Sequence, residues 1–209
     1  MKRILSNWRP VAIACALSAL GACSILPETP SRDNYRLPPT TLAAPQHSGA
    51  SIGRSLQVST PHGGRMLEGL RILVIRQDNQ LNVYKGAQWI DPAPVMLRDR
   101  LLDGFYADGR IKSVIREAEG LSPDLELRSD LRQFQVEYRQ NRPVVVIQLD
   151  ADLISPSARR TIASRRFSIA QPSAGEQIPE IVQTFGMATD QLTQEVVQWS
   201  VGQAAGQRR

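Results

Sequence analysis

The cysteine at position 23 is the residue whose surroundings most clearly specify a reaction. It closes the tetrapeptide Leu20-Gly21-Ala22-Cys23, in which small residues precede a thiol that can be acylated. Upstream lie a basic start and a mostly apolar stretch at 11–20. This arrangement is typical of a signal peptide that is cleaved before a lipid-modified cysteine. We therefore predict a signal peptide over residues 1–22, a diacylglycerol and an N-acyl chain on Cys23, and no other cofactor.

Such an anchor would hold the mature protein on a membrane. The stretch at 11–20 is too short to cross a bilayer, which takes about 20 apolar residues, whereas several acyl chains on one cysteine attach a protein stably. Ser24 rather than Asp follows the cysteine. By analogy with enterobacterial sorting, this favours the outer membrane, with the domain facing the periplasm. The alternatives are an ordinary cleaved signal with a chance cysteine, and a weaker lipidation motif at Cys15.

Charge and cysteine content argue against two further classes of protein. The 209 residues carry a formal net charge of +5, but three basic side chains belong to the signal peptide, which leaves about +2. No basic stripe with interleaved aromatic residues remains, so no nucleic-acid partner is expected. With Cys15 removed and Cys23 lipidated, no disulfide is available, and packing must stabilise the fold.

Few other residues could do chemistry. His47 and His62 lie in Pro- or Gly-rich segments without metal-binding spacing, so we interpret both as loop histidines. Asp150 and Asp152 share one face of a predicted strand and could form paired carboxylates for hydrolysis. The polar face of a hairpin is the simpler interpretation of the two. No nucleophile elbow, phosphate loop or dinucleotide motif is present, so we predict no catalytic residue and no metal site.

Arginines cluster around the last predicted strand. They could contact anionic lipid headgroups or an acidic partner, and the alternative is that they are edge charges that prevent sheet aggregation. The candidate contact residues are Arg159, Arg160, Arg165 and Arg166.

The elements that would position these residues follow from hydrophobic periodicity. We predict a Pro-rich tether over 23–52, interrupted by a segment at 34–37 that could dock, and a single domain over 53–205. A helix starts with Asp91 as N-cap and ends near Asp108-Gly109. A closing helix over 178–202 carries Phe185 and Trp199 on its apolar stripe. The predicted strands are one near 54–58, a hairpin over 70–85, a strand at 111–116, a strand at 125–138 with a bulge near Gln133, and a hairpin of 144–153 and 160–169.

The order of these features resembles the ABC-type transport auxiliary lipoprotein family, which includes the PqiC-like outer-membrane lipoproteins. The loop at 59–69 departs from the family, because it is Gly-rich where a Pro- and Leu-containing segment is expected. The resemblance is carried by Cys23, Tyr35-x-Leu37, the strand at 81–84, Trp89 before a helix, the Leu125 to Phe134 pattern, the valine strand 144–147, Ser164-Arg165-Arg166-Phe167 and Trp199.

The resemblance implies a single three-layer α/β or α+β domain, with a mixed sheet and two main helices, similar to anticodon-binding domains. It also implies a non-catalytic subunit of an MCE-type ABC system that moves phospholipids between membranes. The partner would be an MCE-domain periplasmic protein, on which the subunits dock as a homo-oligomeric ring at the outer membrane. Two alternatives remain, namely a periplasmic hydrolytic or carbohydrate-active lipoprotein, and a structural envelope lipoprotein without a transporter.

Overall fold

The computed structural model describes residues 31–42, 51–76, 79–116 and 122–206. The predicted signal peptide, Cys23, His47 and most of the predicted tether lie outside the described residues. The described residues from Arg32 onwards belong to one unit. Its helices are α1 (Ala93–Asp108) and α2 (Ile178–Gly206). Its strands are β1 (Asp33–Tyr35), β2 (Ile52–Val58), β3 (His62–Gly63), β4 (Arg71–Ile75), β5 (Leu81–Trp89), β6 (Ile111–Arg116), β7 (Leu125–Arg139), β8 (Arg142–Ser155) and β9 (Arg160–Pro172).

The long strand β7 organises the mixed sheet. Along one edge it pairs antiparallel with β8, from Arg139 opposite Arg142 to Glu126 opposite Ile154. Along its other edge it pairs in turn with three shorter strands, β2, β3 and β4, which are all parallel to it. Strand β6 continues the sheet beyond β2, strands β5 and β1 continue it beyond β4, and β9 continues it beyond β8. The sheet therefore has two branches on one side of β7 and a single hairpin on the other.

A bulge keeps the apolar residues of β7 on one face. Leu127 and Leu131 are buried, and the pairing register with β8 then shifts between Leu131 and Gln133. The extra residue shifts the in-and-out alternation of side chains by one position, so that Phe134 and Val136 are buried on the same face as Leu127 and Leu131. The bulge predicted near Gln133 is confirmed.

Both helices pack on this apolar face and against each other, and the buried residues form one core. The ring of Phe185 in α2 lies 5.1 Å from Trp89 and 4.7 Å from Phe134, measured between centroids. Gly104 lies where α1 meets α2. The two helices approach so closely there that a Cβ at this position would collide with Thr193. The predicted α+β class, with two main helices on a mixed sheet, is confirmed.

Helix α1 begins at a proline cap rather than at the predicted Asp91. The carbonyl of Pro92 accepts the N–H groups of Val95 and Met96, and no side chain caps the helix. Pro92 combines φ −54 with an extended ψ of 143, which places it just outside the helix. The predicted end is confirmed, since Gly109 adopts φ 68 and donates its N–H to the Phe105 carbonyl at 3.1 Å.

The N-terminal segment is part of the domain. Strand β1 lies parallel to β5, and Asp33–Tyr35 is in register with residues 87–89. Tyr35 and Leu37 pack against the core, which explains why a short segment within a Pro-rich run can be ordered. The docking predicted for 34–37 is thus confirmed, and the domain starts before the predicted boundary at residue 53.

Candidate functional site

The face of the sheet opposite the helices carries polar side chains at one level of four neighbouring strands. Each alternates along its strand with a residue of the helix-covered face, such as Leu131, Leu149 or Phe167. In register order the row is His62, Asp130, Asp150 and Arg166. We call this row, together with its neighbours Arg132, Asp152 and Ser164, the polar face.

Asp150 is the centre of the polar face. Arg166 donates from Nε to Oδ1 of Asp150 at 2.5 Å and from Nη2 to Oδ2 at 2.7 Å, which is a bidentate pair across β8 and β9. Nε of Arg132 lies 3.7 Å from the same carboxylate. The hydrogen bonds and charge of Arg166 hold the pKa of Asp150 below its usual range. Asp150 is therefore an ionised carboxylate at neutral pH.

The predicted pair of carboxylates does lie on one face. Asp152 accepts a hydrogen bond from the Ser164 hydroxyl, and both carboxylates line a depression of about 300 Å³ between β8 and β9. A general acid at neutral pH needs a raised pKa, whereas the pKa of Asp150 is lowered. The geometry therefore suits recognition of a polar ligand or partner better than acid-base hydrolysis.

The structure separates the four arginines that were predicted as contacts. Arg159 lies in the turn between β8 and β9 with φ 49, and Arg160 begins β9. Arg166 is on the polar face, whereas Arg165 is on the opposite face, with its guanidinium 4.8 Å from the centroid of the Phe167 ring. Among the described strands β9 pairs with β8 alone, so these charges do mark a sheet edge. Their contacts with lipid or a partner stay predictions.

Four members of the polar face were not predicted as site residues from the sequence, namely His62, Asp130, Arg132 and Ser164. The side chains at positions 126, 128, 130 and 132 alternate between acidic and basic, and buried leucines at 127 and 131 lie between them on the other face of the strand. This pattern could have indicated a charged strand face. His62 was interpreted as a loop residue, but it belongs to β3 and is in register with Asp130. A two-residue strand has no periodicity, so only its long-range pairing reveals it.

A second polar cluster joins the N-terminal segment to both helices. Arg100 of α1 and Asp190 of α2 form a buried ion pair. Asp190 accepts the Thr41 N–H at 2.9 Å and the hydroxyls of Thr40 and Thr41 at 3.0 and 2.9 Å. Arg100 also donates to the carbonyl of Pro38. We call residues 36–42 the strap and this cluster the strap clamp.

The clamp favours the ionised form of Asp190. Burial raises the pKa of this carboxyl, but the Thr41 N–H, the charge of Arg100 and the hydroxyl and guanidinium hydrogen bonds together outweigh that effect and lower it. The carboxylate therefore stays charged at neutral pH and holds the strap against the helices.

Metal and membrane features were sought in the same part of the chain. Within the ranges that the structure describes, no three His, Cys, Asp or Glu side chains converge as metal ligands. None of the helices there combines the length and apolarity needed to cross a bilayer.

The architecture defines the class of protein first: an α+β domain with both helices on one face of a branched mixed sheet. A protein from Xanthomonas campestris of known crystal structure is similar, with a TM-score of 0.76 and 30% identity over 83% of this chain and 98% of that one. Two further solved structures share the fold alone. One has a TM-score of 0.63 at 17% identity, covering 81% of this chain and 98% of the other. The other, from Chlamydia trachomatis, has a TM-score of 0.52 at 7% identity, covering 74% and 99%.

The family follows from the sequence match. The model of the ABC-type transport auxiliary lipoprotein component matches residues 35–197, and the chain belongs to this family. The matched region runs from β1 into α2, so it includes the strap clamp and the polar face. A search of curated proteins finds no match.

Proposed function

We propose that this protein is a non-catalytic auxiliary subunit of an MCE-type ABC system for intermembrane phospholipid transport. Acylated Cys23 anchors it in the outer membrane, and its domain docks the MCE-domain protein of the transporter from the periplasmic side. Several copies form a ring around the end of the periplasmic tunnel. The observation that carries this proposal is the family match over 35–197, which names an auxiliary component of ABC transport.

The polar face supports a binding role. Its carboxylates are engaged by arginine and serine partners, and the lowered pKa of Asp150 does not suit general-acid chemistry. Exposed ion pairs of this kind contribute little to folding stability. They do offer both signs of charge to a partner, which favours specific orientation during association.

The docked N-terminal segment is consistent with a domain that is held near the membrane. Strand β1 begins at Asp33, so residues 24–32 connect the anchor cysteine to the sheet. A chain of that length spans about 30 Å when fully extended. A tether that ended at residue 52 would have reached about three times as far. The pairing of β1 with β5 therefore limits how far the domain can move from the bilayer that holds Cys23.

Association in the envelope tests the proposal. The acylated protein is cross-linked in whole cells, solubilised with detergent and purified, and the co-purified proteins are identified by mass spectrometry. We expect an MCE-domain protein, and native mass spectrometry should give several copies of this chain per complex. Absence of any inner-membrane transporter component, together with normal outer-membrane lipid asymmetry in a deletion strain, would contradict the proposal.

A double variant separates the proposal from the hydrolytic alternative. Asp150→Asn with Asp152→Asn removes both carboxylates while the fold remains intact, because both side chains are at least partly exposed. In a transport subunit whose polar face contacts the partner, function in a barrier assay with detergent should fall only in step with partner binding. An enzyme that uses these carboxylates should lose its function completely, and that loss with retained partner binding would favour the alternative.

A further inference from the structure

Strand β9 presents a long free edge. It pairs with β8 from Ser155 opposite Arg160 to Val144 opposite Pro172, and no other strand of the described chain pairs with its second edge. Unpaired backbone N–H and C=O groups along such an edge can form a ladder with an added strand. The edge is therefore a possible acceptor for an extended polypeptide.

The middle of this edge carries an exposed arginine on each face, namely Arg165 on the helix side and Arg166, which also pairs with Asp150, on the polar side. Ser164, Arg165 and Arg166 are exposed in succession, although Arg165 has the same parity as the buried Phe167. Trp199 of α2 packs against Phe167 with ring centroids 5.6 Å apart, so the helix covers the later part of β9 and leaves Arg165 open. Strand β9 contains no acidic residue.

We propose that β9 binds an extended segment of a partner protein that carries two consecutive acidic residues. In an added strand, neighbouring residues point to opposite faces of the sheet. One acid would then lie beside Arg165 on the helix side, and the next would lie beside Arg166 on the polar face. Cross-strand neighbours of opposite charge stabilise such pairing, so the edge selects an acidic pair within an extended segment.

A second copy of this chain fits the edge poorly. Pairing β9 with β9 of another copy would bring arginines beside arginines, and pairing it with β6 would add Lys112 and Arg116. Like charges on neighbouring strands are destabilising. Strand β1 offers Asp33, but it is only three residues long. An acidic segment of a different protein is therefore the occupant that the charges favour.

This inference rests on the proposed function only for the identity of the partner. Strand addition is measured with peptides alone, whereas the proposed function is measured by association with an MCE-domain protein. A failure of one experiment is therefore distinguishable from a failure of the other.

The test uses the acylated full-length mature protein in detergent and labelled peptides of about ten residues, with binding followed by fluorescence anisotropy. The parent peptide alternates Thr and Val around a central Asp-Glu pair. An Asn-Gln version removes the charges. Two further versions carry N-methyl groups on alternate backbone nitrogens. In one version the methyl groups block the hydrogen bonds of one peptide edge, and in the other version they block those of the opposite edge. Strand addition predicts that only one of the two N-methylated peptides binds, because only one edge of the peptide pairs with β9.

Matched variants test the charges. Arg165→Gln should weaken binding of the Asp-Glu peptide by about two- to five-fold and should leave the Asn-Gln peptide unchanged. The control is Arg139→Gln, because Arg139 is also an exposed arginine but lies at the end of the interior strand β7 and is not part of the polar face. It should change the affinity less than about two-fold.

Several results would overturn the inference. Equal binding of both N-methylated peptides would mean attraction by charge without strand pairing. Equal effects of Arg165→Gln and Arg139→Gln would mean that the edge is not the site. Absence of binding at millimolar peptide would rule out strand addition at β9. Self-association that becomes stronger in Arg165→Gln would show that a second copy occupies β9.

Discussion

Asp190 joins three parts of the chain, because it contacts the strap and Arg100 of α1 from its position in α2. Its pKa is lower in the folded protein than the unfolded value of about 3.9. A carboxyl with a lowered folded pKa contributes stability that is fully present above the unfolded pKa and is lost as the pH falls through the folded pKa. The clamp should therefore be intact at neutral pH and weaken in acid.

We predict that Asp190→Asn lowers the free energy of unfolding at pH 7 by about 3 kcal/mol, because it leaves Arg100 buried without a charged partner. The decline of stability below about pH 4 should be shallower in the variant. Urea melts from pH 3 to 7 measure both effects. Asp124 and Asp150 also have lowered pKa values, but they are present in both proteins, so the difference isolates Asp190.

The matched control is Asp99→Asn, since the Asp99 side chain is 47% exposed and pairs only with its neighbour Arg98 in the described contacts. It should change stability by less than about 1 kcal/mol. An Asp190→Asn protein with the same pH profile as its parent would mean that the clamp contributes nothing to folding.

The second prediction at this scale concerns the anchor. Cys23→Ala should abolish incorporation of a fatty-acid probe, because the thiol that accepts the diacylglycerol is lost, and the protein should remain as an uncleaved or soluble form. Cys15→Ala serves as the control and should be labelled like the parent. Unchanged labelling of Cys23→Ala would show that the tetrapeptide ending at Cys23 is not the lipidation site.

Among the elements, α2 is the main apolar support of the sheet. Phe185 is fully buried between Trp89 and Phe134, whereas Trp199 is half-buried and contacts Phe167 edge-on. The sequence places both residues on one apolar stripe and predicts equal cost for their loss. The structure distinguishes them, because Phe185 lies at the centre of the buried stripe whereas Trp199 lies at its margin.

We therefore predict that Phe185→Ala lowers the free energy of unfolding by about 3 to 5 kcal/mol, and that Trp199→Ala lowers it by about half as much or less. Denaturant unfolding measures both. Met187→Ala on the same helix is the control, because Met187 is 52% exposed, and it should change stability by less than about 0.5 kcal/mol. Equal losses for Phe185→Ala and Trp199→Ala would contradict the packing described for α2.

At the scale of the whole molecule, the N-terminal segment 32–42 fixes the place where the chain enters the domain. The strap passes from β1 to Asp190, and the ring of Pro38 lies against Gly186, where a Cβ would be about 3.0 Å from it. Removing β1 and the strap together would expose the edge of β5 and the buried ion pair.

We predict that a soluble chain starting at residue 51 is less stable than one starting at residue 32 by about 3 to 6 kcal/mol, because four hydrogen bonds to the clamp are lost. Thermal melts of the two chains give the comparison. A third chain starting at Arg32 with Thr40→Ala and Thr41→Ala should fall between them. Coincident melting of all three would show that the strap is a passive linker.

Local patterns determined much of this protein. Alternation in 144–153 and 160–169 predicts the last hairpin, parity predicts the bulge near Gln133, and periodicity predicts both helices. These patterns are readable because each residue's burial depends on the face of its own element. The lipidation predicted at Cys23 rests on an equally local pattern, because such a modification depends on a short segment around the cysteine; it stays a prediction.

Only the tertiary structure decided the strap clamp, the place of β3 beside β7 and the separation of Arg165 from Arg166. The Thr41 to Asp190 hydrogen bond joins residues 149 positions apart. A single hydrogen bond contributes about 1 kcal/mol and leaves no periodic trace in the sequence. Which distant groups meet is decided by the register of the whole sheet and the packing of both helices, and these depend on all elements at once.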